Sequence, residues 1–166
     1  MALFTFLTSP PQCTCDLARL ALTQPTPELF DKTAKELAEE ISQGAVLEER
    51  EERQGGQRRK VWQVKRVGDR VNKPAQIRKF YDELCMWVEK TQTVEDLERN
   101  LPFIKMMNAK VAYARGRELV DDKFVVWFSA SLEQIRAADE TGLKVLENFR
   151  TLFEAFLGFY KVERPK

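Results

Sequence analysis

The spacing of the apolar residues between positions 74 and 90 is the feature that most constrains the fold. These residues recur at intervals of three and four, which places them along one side of an α-helix. Such a stripe leaves water only by packing against other elements. The sequence therefore predicts a helix here and further elements that cover it. The residues of this stripe are Ile77, Phe80, Tyr81, Leu84, Cys85 and Val88.

Similar patterns extend over most of the chain, and strand patterns are nearly absent. The composition is 43% hydrophobic with 11 Phe, which is ample for a core. We therefore predict an all-α fold, a compact bundle of about five helices. The remaining predicted helical segments are 26–42, a short turn at 93–99, 102–117, 121–138 and about 142–161.

Charge is concentrated in one part of the chain, although the net charge is only +1. Residues 53–73 hold eight basic residues and one acid. Glycines favour a loop in this stretch, and the run KVWQV has the character of a short strand. The stretch is either a solvated linker or an arm that binds a polyanion. We predict an N-terminal extension at 1–25, followed by a single helical domain at 26–166 with a basic loop at about 44–73.

Catalytic chemistry has little support in the sequence. The chain has no His, which removes the commonest general base and the commonest metal ligand. Cys13, Cys15 and Cys85 form no disulfide framework, and a C-x-C pair offers too few ligands for a structural zinc site. Phosphate-binding glycine loops and nucleophile elbows are missing. We predict a protein that is not an enzyme and that has no cofactor and no metal site.

The hydropathy of the chain gives an expectation about its location. No apolar run approaches the roughly 20 residues of a membrane span. The apolar start MALFTFLTSPP lacks the basic residues that open a signal peptide. We therefore expect a cytoplasmic protein without a membrane partner.

The predicted helix at 102–117 has an unusual charge pattern, since it holds four bases and no acid. Lys110, Tyr113 and Arg117 share one face with Met106 at spacings of three and four. An aromatic ring between two bases suits a nucleic-acid strand, because the bases meet phosphates and the ring packs on a sugar or base. The alternative is a half-buried Tyr113 beside bases that only solvate the surface.

The helix at 74–90 begins with bases where acids are favoured. Lys73, Arg78 and Lys79 lie near its N-terminus, which carries a partial positive charge. Asp82 and Glu83 lie four residues after Arg78 and Lys79, so both bases could form surface ion pairs worth only a few tenths of a kcal/mol. A phosphate near the helix start would remove the conflict.

The last helix is apolar on more than one face. Leu152, Leu157 and Phe159 lie away from its main stripe. Such a helix is either the central helix of the bundle or one that also packs against a neighbouring subunit.

Three blocks of the sequence resemble a known family. QIRKFYDEL, IKMMNAKVAYARGR and LENFRTLFEAFLGFYK occur in the order and at the spacing seen in the small subunit of the type III-A CRISPR effector, the Csm complex. The resemblance covers about residues 70–161. It departs at Asn72, Lys73 and Pro74, where the family usually has a Thr or Ser before the first block. The resemblance assigns nothing to the first 25 residues or to the basic arm.

The resemblance implies an all-α protein of about five helices without catalytic activity. Several copies would stack head-to-tail along the effector and help to hold guide RNA and target RNA in antiviral defence, while neighbouring subunits cut and signal. The implied partners are therefore both RNAs, the backbone and large subunits, and further copies of the chain. The alternatives are the small subunit of the type III-B effector, a helical nucleic-acid-binding regulator, and a protein-interaction bundle.

Residues are assigned to the predicted RNA-binding site by matching positions. Arg78 and Lys79 match the basic pair of the first block, and Lys110, Tyr113 and Arg117 match the second. The full predicted set is Lys73, Gln76, Arg78, Lys79, Lys105, Lys110, Tyr113 and Arg117, with Arg58, Arg59, Lys65 and Arg66 in the basic loop.

Overall fold

A computed structural model describes residues 20–43, 45–54, 56–66 and 70–164. Within these ranges the chain forms five α-helices and one β-hairpin, and the predicted bundle of about five helices is confirmed. In chain order the elements are a π-helical turn at Leu29–Thr33, α1 at Ala34–Ser42, β1 at Ala45–Gln54, β2 at Gln57–Arg66, α2 at Pro74–Lys90, α3 at Val94–Gly116, α4 at Asp122–Glu133 and α5 at Glu140–Glu163.

Helix α5 is the central helix of the bundle. It packs against α1 and α2 and also touches α3 and α4. Trp127 of α4 lies with its ring centroid 5.0 Å from that of Phe153 and 4.9 Å from that of Phe156. Leu152 is fully buried, and Phe159 packs against the core. The apolar residues on several faces of α5 therefore serve the core of the bundle.

Helix α3 runs without a break, although the sequence predicted a short turn and then a helix beginning at Pro102. It begins after Thr93, whose Oγ1 accepts a hydrogen bond from the Asp96 amide, while the Asp96 carboxylate accepts one from the Thr93 amide. Pro102 removes one helical hydrogen bond. Leu97 and Ile104 are buried on either side of it, so packing keeps both segments in line.

Asn72 directly precedes the cap position of α2 but does not itself cap the helix. The residue at the cap position is Lys73, which makes no side-chain capping bond. Asn72 has a φ of 55° and is fully buried. Its Nδ2 donates to the Ile41 carbonyl at 3.0 Å, and its Oδ1 accepts from the Asp121 amide at 2.9 Å. Asn72 therefore ties the start of α2 to α1 and to the start of α4.

Most of the predicted basic loop is a β-hairpin. The two strands have ten residues each and turn at Gly56, whose φ is 84°. The register places Glu51 opposite Lys60 and Glu52 opposite Arg59. Apolar and polar residues alternate only weakly in β1, so its sequence alone does not predict a strand. Pairing with β2 stabilises the strand, and this pairing depends on both segments together. Acidic positions of β1 thus lie opposite two of the five basic positions of β2.

The packed part of the chain includes residues near its described beginning. Leu20 and Leu22 are buried in the core, although they fall within the segment predicted as an extension. The division at residue 26 stays a prediction. Cys13 and Cys15 lie outside the described residues, and Cys85 is a half-buried free thiol. Of the helices in the described ranges, none has the length and apolar character needed to cross a membrane.

Candidate nucleic-acid interface

Helices α2 and α3 lie side by side in opposite directions and share one surface. Glu83 and Lys110 form an ion pair between them at 2.5 Å. Further along, the rings of Trp87 and Phe103 stack with centroids 5.8 Å apart. We call this surface the α2/α3 ridge. It consists of Gln76, Lys79, Glu83, Trp87 and Lys90 from α2, of Phe103, Met106, Lys110 and Tyr113 from α3, and of Arg117 directly after α3.

The α3 side of the ridge is exposed and partly apolar. Its residues follow spacings of three and four, and they lie beside the buried stripe that includes Met107. Phe103 and Met106 are each 51% exposed, and Tyr113 is 68% exposed. These values exclude the alternative of a half-buried Tyr113. The guanidinium of Arg117 lies 5.8 Å from the centroid of the Tyr113 ring.

The bases at one end of the ridge form a cluster around Tyr113. Lys79 lies one turn before Glu83 on α2, and because Glu83 contacts Lys110, Lys79 lies on the side of α2 that faces α3. Lys79 and Arg117 are exposed and form no ion pair with any described residue. We call Lys79, Lys110, Tyr113 and Arg117 the basic end of the ridge.

Arg78 does not belong to this cluster. It lies about 100° around α2 from Lys79 and therefore faces away from α3. Its guanidinium lies 5.2 Å from the centroid of the Tyr81 ring and donates to Asp82 at 2.8 Å. The hydrogen bond to Asp82 raises the pKa of Arg78. Arg78 lines a groove between α2 and α5 that includes Leu157 and Lys161. The structure thus places Arg78 and Arg117 on different surfaces.

Lys105 also lies apart from the ridge. Its Nζ donates a 2.5 Å hydrogen bond to the carbonyl of Leu132, near the C-terminus of α4. A base at this place satisfies a helix carbonyl that has no partner within the helix. Burial lowers the pKa of the Lys105 ammonium. The side chain thus has a role within the fold, on the side of α3 that faces α4.

The other predicted site residues occupy two regions. Lys73 is exposed at the start of α2, and Gln76 is half-buried in the first turn. Arg58 is exposed in β2 and pairs with Glu51 at 3.7 Å. The side chains of Arg59, Lys65 and Arg66 lie outside the described part of the structure, although the backbone register places Lys65 and Arg66 opposite Val46 and Ala45.

The aromatic end of the ridge was missed by the sequence analysis. We define it as Trp87, Lys90, Phe103 and Met106. The planes of Trp87 and Phe103 are inclined by only 7°, and the ammonium of Lys90 lies 5.6 Å from the centroid of the Trp87 ring. Phe103 lies off the buried stripe of α3, which was a visible signal. Its pairing with Trp87 depends on the placement of the two helices.

Neither end of the ridge resembles a metal or catalytic centre. Across the described ranges, His, Cys, Asp and Glu residues form no group of three that could hold a metal ion. The ridge offers cations and aromatic rings, which are groups that bind phosphates and stack on flat ligands.

Comparison with known proteins identifies the family. A family model, Csm2 Type III-A, matches residues 59–166, which include most of β2 and all of helices α2 to α5. A search of curated proteins and a search of solved structures gave no match. The family match covers the three blocks on which the resemblance depends, and the fold is the helical bundle that the resemblance implies. The chain therefore belongs to the Csm2 Type III-A family and is a small subunit of the type III-A CRISPR effector, the Csm complex.

Proposed function

We propose that this subunit is a non-catalytic RNA-binding component of the Csm complex, in which the basic end of the α2/α3 ridge contacts the RNA backbone. Several copies form the inner filament that holds guide RNA and target RNA in antiviral defence in the cytoplasm. Other subunits of the effector supply catalysis. The observation that carries the proposal is the clustering of Lys79, Lys110 and Arg117 around an exposed Tyr113.

The charges of the basic end support an anionic ligand. Lys79 and Arg117 are exposed cations without an ion-pair partner among the described residues. Lys110 has a partner, Glu83, but this pair is only partly buried. A pair of this kind contributes at most about 1 kcal/mol to stability, so a phosphate can compete for Lys110.

The side chains of the basic end favour contact with the backbone over reading of bases. Lys and Arg provide charge for phosphates, and Tyr113 provides a ring that packs on a sugar or base of any sequence. Gln76 is the only side chain of the ridge with the paired donor and acceptor that read an adenine edge, and it is half-buried. We therefore expect binding that tolerates changes of RNA sequence.

The hairpin is proposed as a second RNA contact. Strand β2 holds five bases and no acid, including Arg58, Arg59, Lys65 and Arg66. The acids of β1 lie opposite Arg59 and Lys60, whereas Lys65 and Arg66 lie opposite apolar residues. The end of the hairpin that precedes α2 in the chain therefore has basic positions without acids opposite them, and we propose that these face an external partner.

The proposal is tested with Csm complex assembled from the full chain. Lys79→Gln and Arg117→Gln are combined, and target RNA affinity is measured across a series of salt concentrations. Two lost phosphate contacts should lower the slope of log affinity against log salt by roughly 1.5. Arg136→Gln with Lys144→Gln is the matched control, because both are exposed bases outside the ridge.

The control variant should bind RNA as the natural chain does. Both variants should assemble into complex with unchanged composition. Equal affinity and equal salt slope for the Lys79/Arg117 variant and the natural chain would overturn the proposed role of the basic end.

A further inference from the structure

We infer that the aromatic end of the α2/α3 ridge is a stacking site for an unpaired nucleobase of the RNA whose phosphates the basic end contacts. The inference depends on the proposed function and adds to it the form of RNA that is bound, a single-stranded segment with at least one free base. The residues of this site are Trp87, Lys90, Phe103 and Met106.

The geometry of the two rings leaves a flat surface open. Phe103 is parallel to Trp87 within 7°, so one face of its ring is directed toward the indole. Phe103 is also 51% exposed, so about half of its surface remains open to a ligand. Met106 lies one turn further along α3 and is equally exposed, so it adds a polarizable apolar group beside the ring.

The exposed side chains of Phe103 and Met106 are not needed to complete the core. Helix α3 already buries a complete stripe beside this row, which includes Leu97, Ile104 and Val111. Removing exposed apolar area from water is favourable by about 25 cal/mol per Å². A flat ligand that covers Phe103 and Met106 would gain this energy together with stacking.

The charges around the rings indicate what covers them. Lys90 lies over Trp87, and Lys110 lies one turn beyond Met106. From Phe103 to Arg117 the exposed row of α3 carries bases and apolar groups but no acid. An apolar face of another protein would match the rings but not the cations. A nucleotide matches both, because it joins a flat apolar base to an anionic phosphate.

Residues of both ends of the ridge lie along α3 at a fixed spacing. Fourteen residues separate Phe103 from Arg117, a rise of about 21 Å along a straight helix. A strand of RNA with phosphates at the basic end can thus follow the ridge and place a base on Phe103. A fully paired duplex holds its bases in its own stack, so it cannot use this site in the same way.

The test uses the assembled Csm complex with the full chain and an RNA of about 12 nucleotides, within the range of sites that single strands occupy. The RNA is all uridine except for one 2-aminopurine, which is placed at each position in turn. Stacking on Phe103 changes the fluorescence of 2-aminopurine at one or two positions. The same RNA annealed to its complement should show no such change.

Substitutions at Phe103 then separate stacking from other roles. Phe103→Leu keeps an apolar side chain but removes the flat ring, and it should lower single-strand affinity about fivefold or more while duplex affinity stays unchanged. Phe103→Tyr keeps the ring and should restore both the affinity and the fluorescence signal. Val162→Ala is the control for an exposed apolar residue, because Val162 is 76% exposed on α5.

The outcomes distinguish this inference from the proposed function. Normal single-strand affinity in Phe103→Leu, with reduced affinity in the Lys79/Arg117 variant, overturns the stacking site alone. Loss of a partner subunit from the Phe103→Leu complex, with unchanged RNA binding, shows that the face is a protein contact and also overturns it. Failure of both variants to affect RNA binding overturns the proposed function as well. If Phe103→Leu fails to fold, the 2-aminopurine experiment with the natural chain tests the inference by itself. A fluorescence that changes at no position overturns the inference.

Discussion

The hydroxyl of Tyr160, near the end of α5, donates a 2.5 Å hydrogen bond to the main-chain carbonyl of Asn72, just before α2 begins. Arg164 reaches the same segment, with Nη1 2.6 Å from the Val71 carbonyl. Both Tyr160 and Asn72 are buried. The end of the central helix therefore fixes the start of α2, and α2 carries Lys79 of the basic end.

Removing the Tyr160 hydroxyl should destabilise the protein. Tyr160→Phe leaves the Asn72 carbonyl buried with one hydrogen bond fewer, and we expect a loss of about 1–2 kcal/mol in the free energy of unfolding. Urea unfolding checks this value. Tyr113→Phe is the control, because Tyr113 is exposed and should give a change within about 0.5 kcal/mol. Equal effects at both positions would contradict a specific role for the Tyr160 hydroxyl.

The two glycines of α5 should respond to alanine in opposite directions. A Cβ at Gly142 would lie 2.2 Å from the main-chain oxygen of Ala137 and 3.0 Å from Leu97 Cδ2, so Gly142→Ala forces the backbone to shift. We expect it to cost about 2 kcal/mol or more. A Cβ at Gly158 would meet no atom within 4 Å, and Gly158→Ala should add about 0.5–1 kcal/mol through helix propensity. Thermal unfolding of both variants measures the contrast, and a stabilised Gly142→Ala protein would show that the close approach to Ala137 is incorrect.

Alkaline pH should reveal the environment of Tyr81. Burial, together with a hydrogen bond to Cys85, raises the pKa of Tyr81 to about 12. The unfolded chain loses this proton near pH 10 and the folded chain near pH 12, so the contribution of Tyr81 is complete below about pH 10 and declines as pH rises toward 12.

Tyr81→Phe removes this ionisation and keeps a ring beside Phe153, whose centroid lies 5.4 Å from that of Tyr81. The stability of the natural chain relative to this variant should therefore fall between about pH 9 and pH 11. Urea unfolding at the two pH values measures the difference. A constant difference would mean that Tyr81 ionises equally in both states.

Neutralising Glu83 should strengthen RNA binding. Glu83→Gln releases Lys110 from its ion pair and removes a negative charge from the ridge. We expect a gain of about two- to fivefold in RNA affinity and a stability change of at most about 1 kcal/mol. Glu89→Gln is the control, because Glu89 is exposed on the side of α2 away from α3. Weaker RNA binding by Glu83→Gln would show that the pair itself is needed for the interface.

The fold was predictable where local pattern alone decides it. The apolar stripe of α2 and the capping box at Thr93 and Asp96 depend on residues a few positions apart. Asn72 could not be placed in this way, since its side-chain partners lie 31 and 49 residues away. The helix start predicted at Pro102 is wrong for a related reason. Proline usually breaks a helix interior, but packing on both sides of Pro102 outweighs this local effect.

The candidate site was predictable to the same extent. Lys110, Tyr113 and Arg117 share a face of one helix, so their periodicity predicts their alignment. Arg78 and Lys79 are neighbours in sequence, yet which of them faces α3 depends on where α3 and α5 lie. The stacking of Trp87 on Phe103 likewise requires the position of α2 relative to α3, which no single segment of the sequence contains.

The unbroken course of α3 through Pro102 has a consequence for the proposed interface. A hinge at Pro102 would let the first two turns of the helix move independently of the rest, whereas a continuous helix holds the row from Arg99 to Arg117 rigid over about 27 Å. In such a row, the number of residues between two side chains sets the distance between the two nucleotides that they contact. Inserting a single residue after Met107 would rotate the second half of the row by about 100° relative to the first half. An RNA strand that contacts the first half would then no longer contact the second.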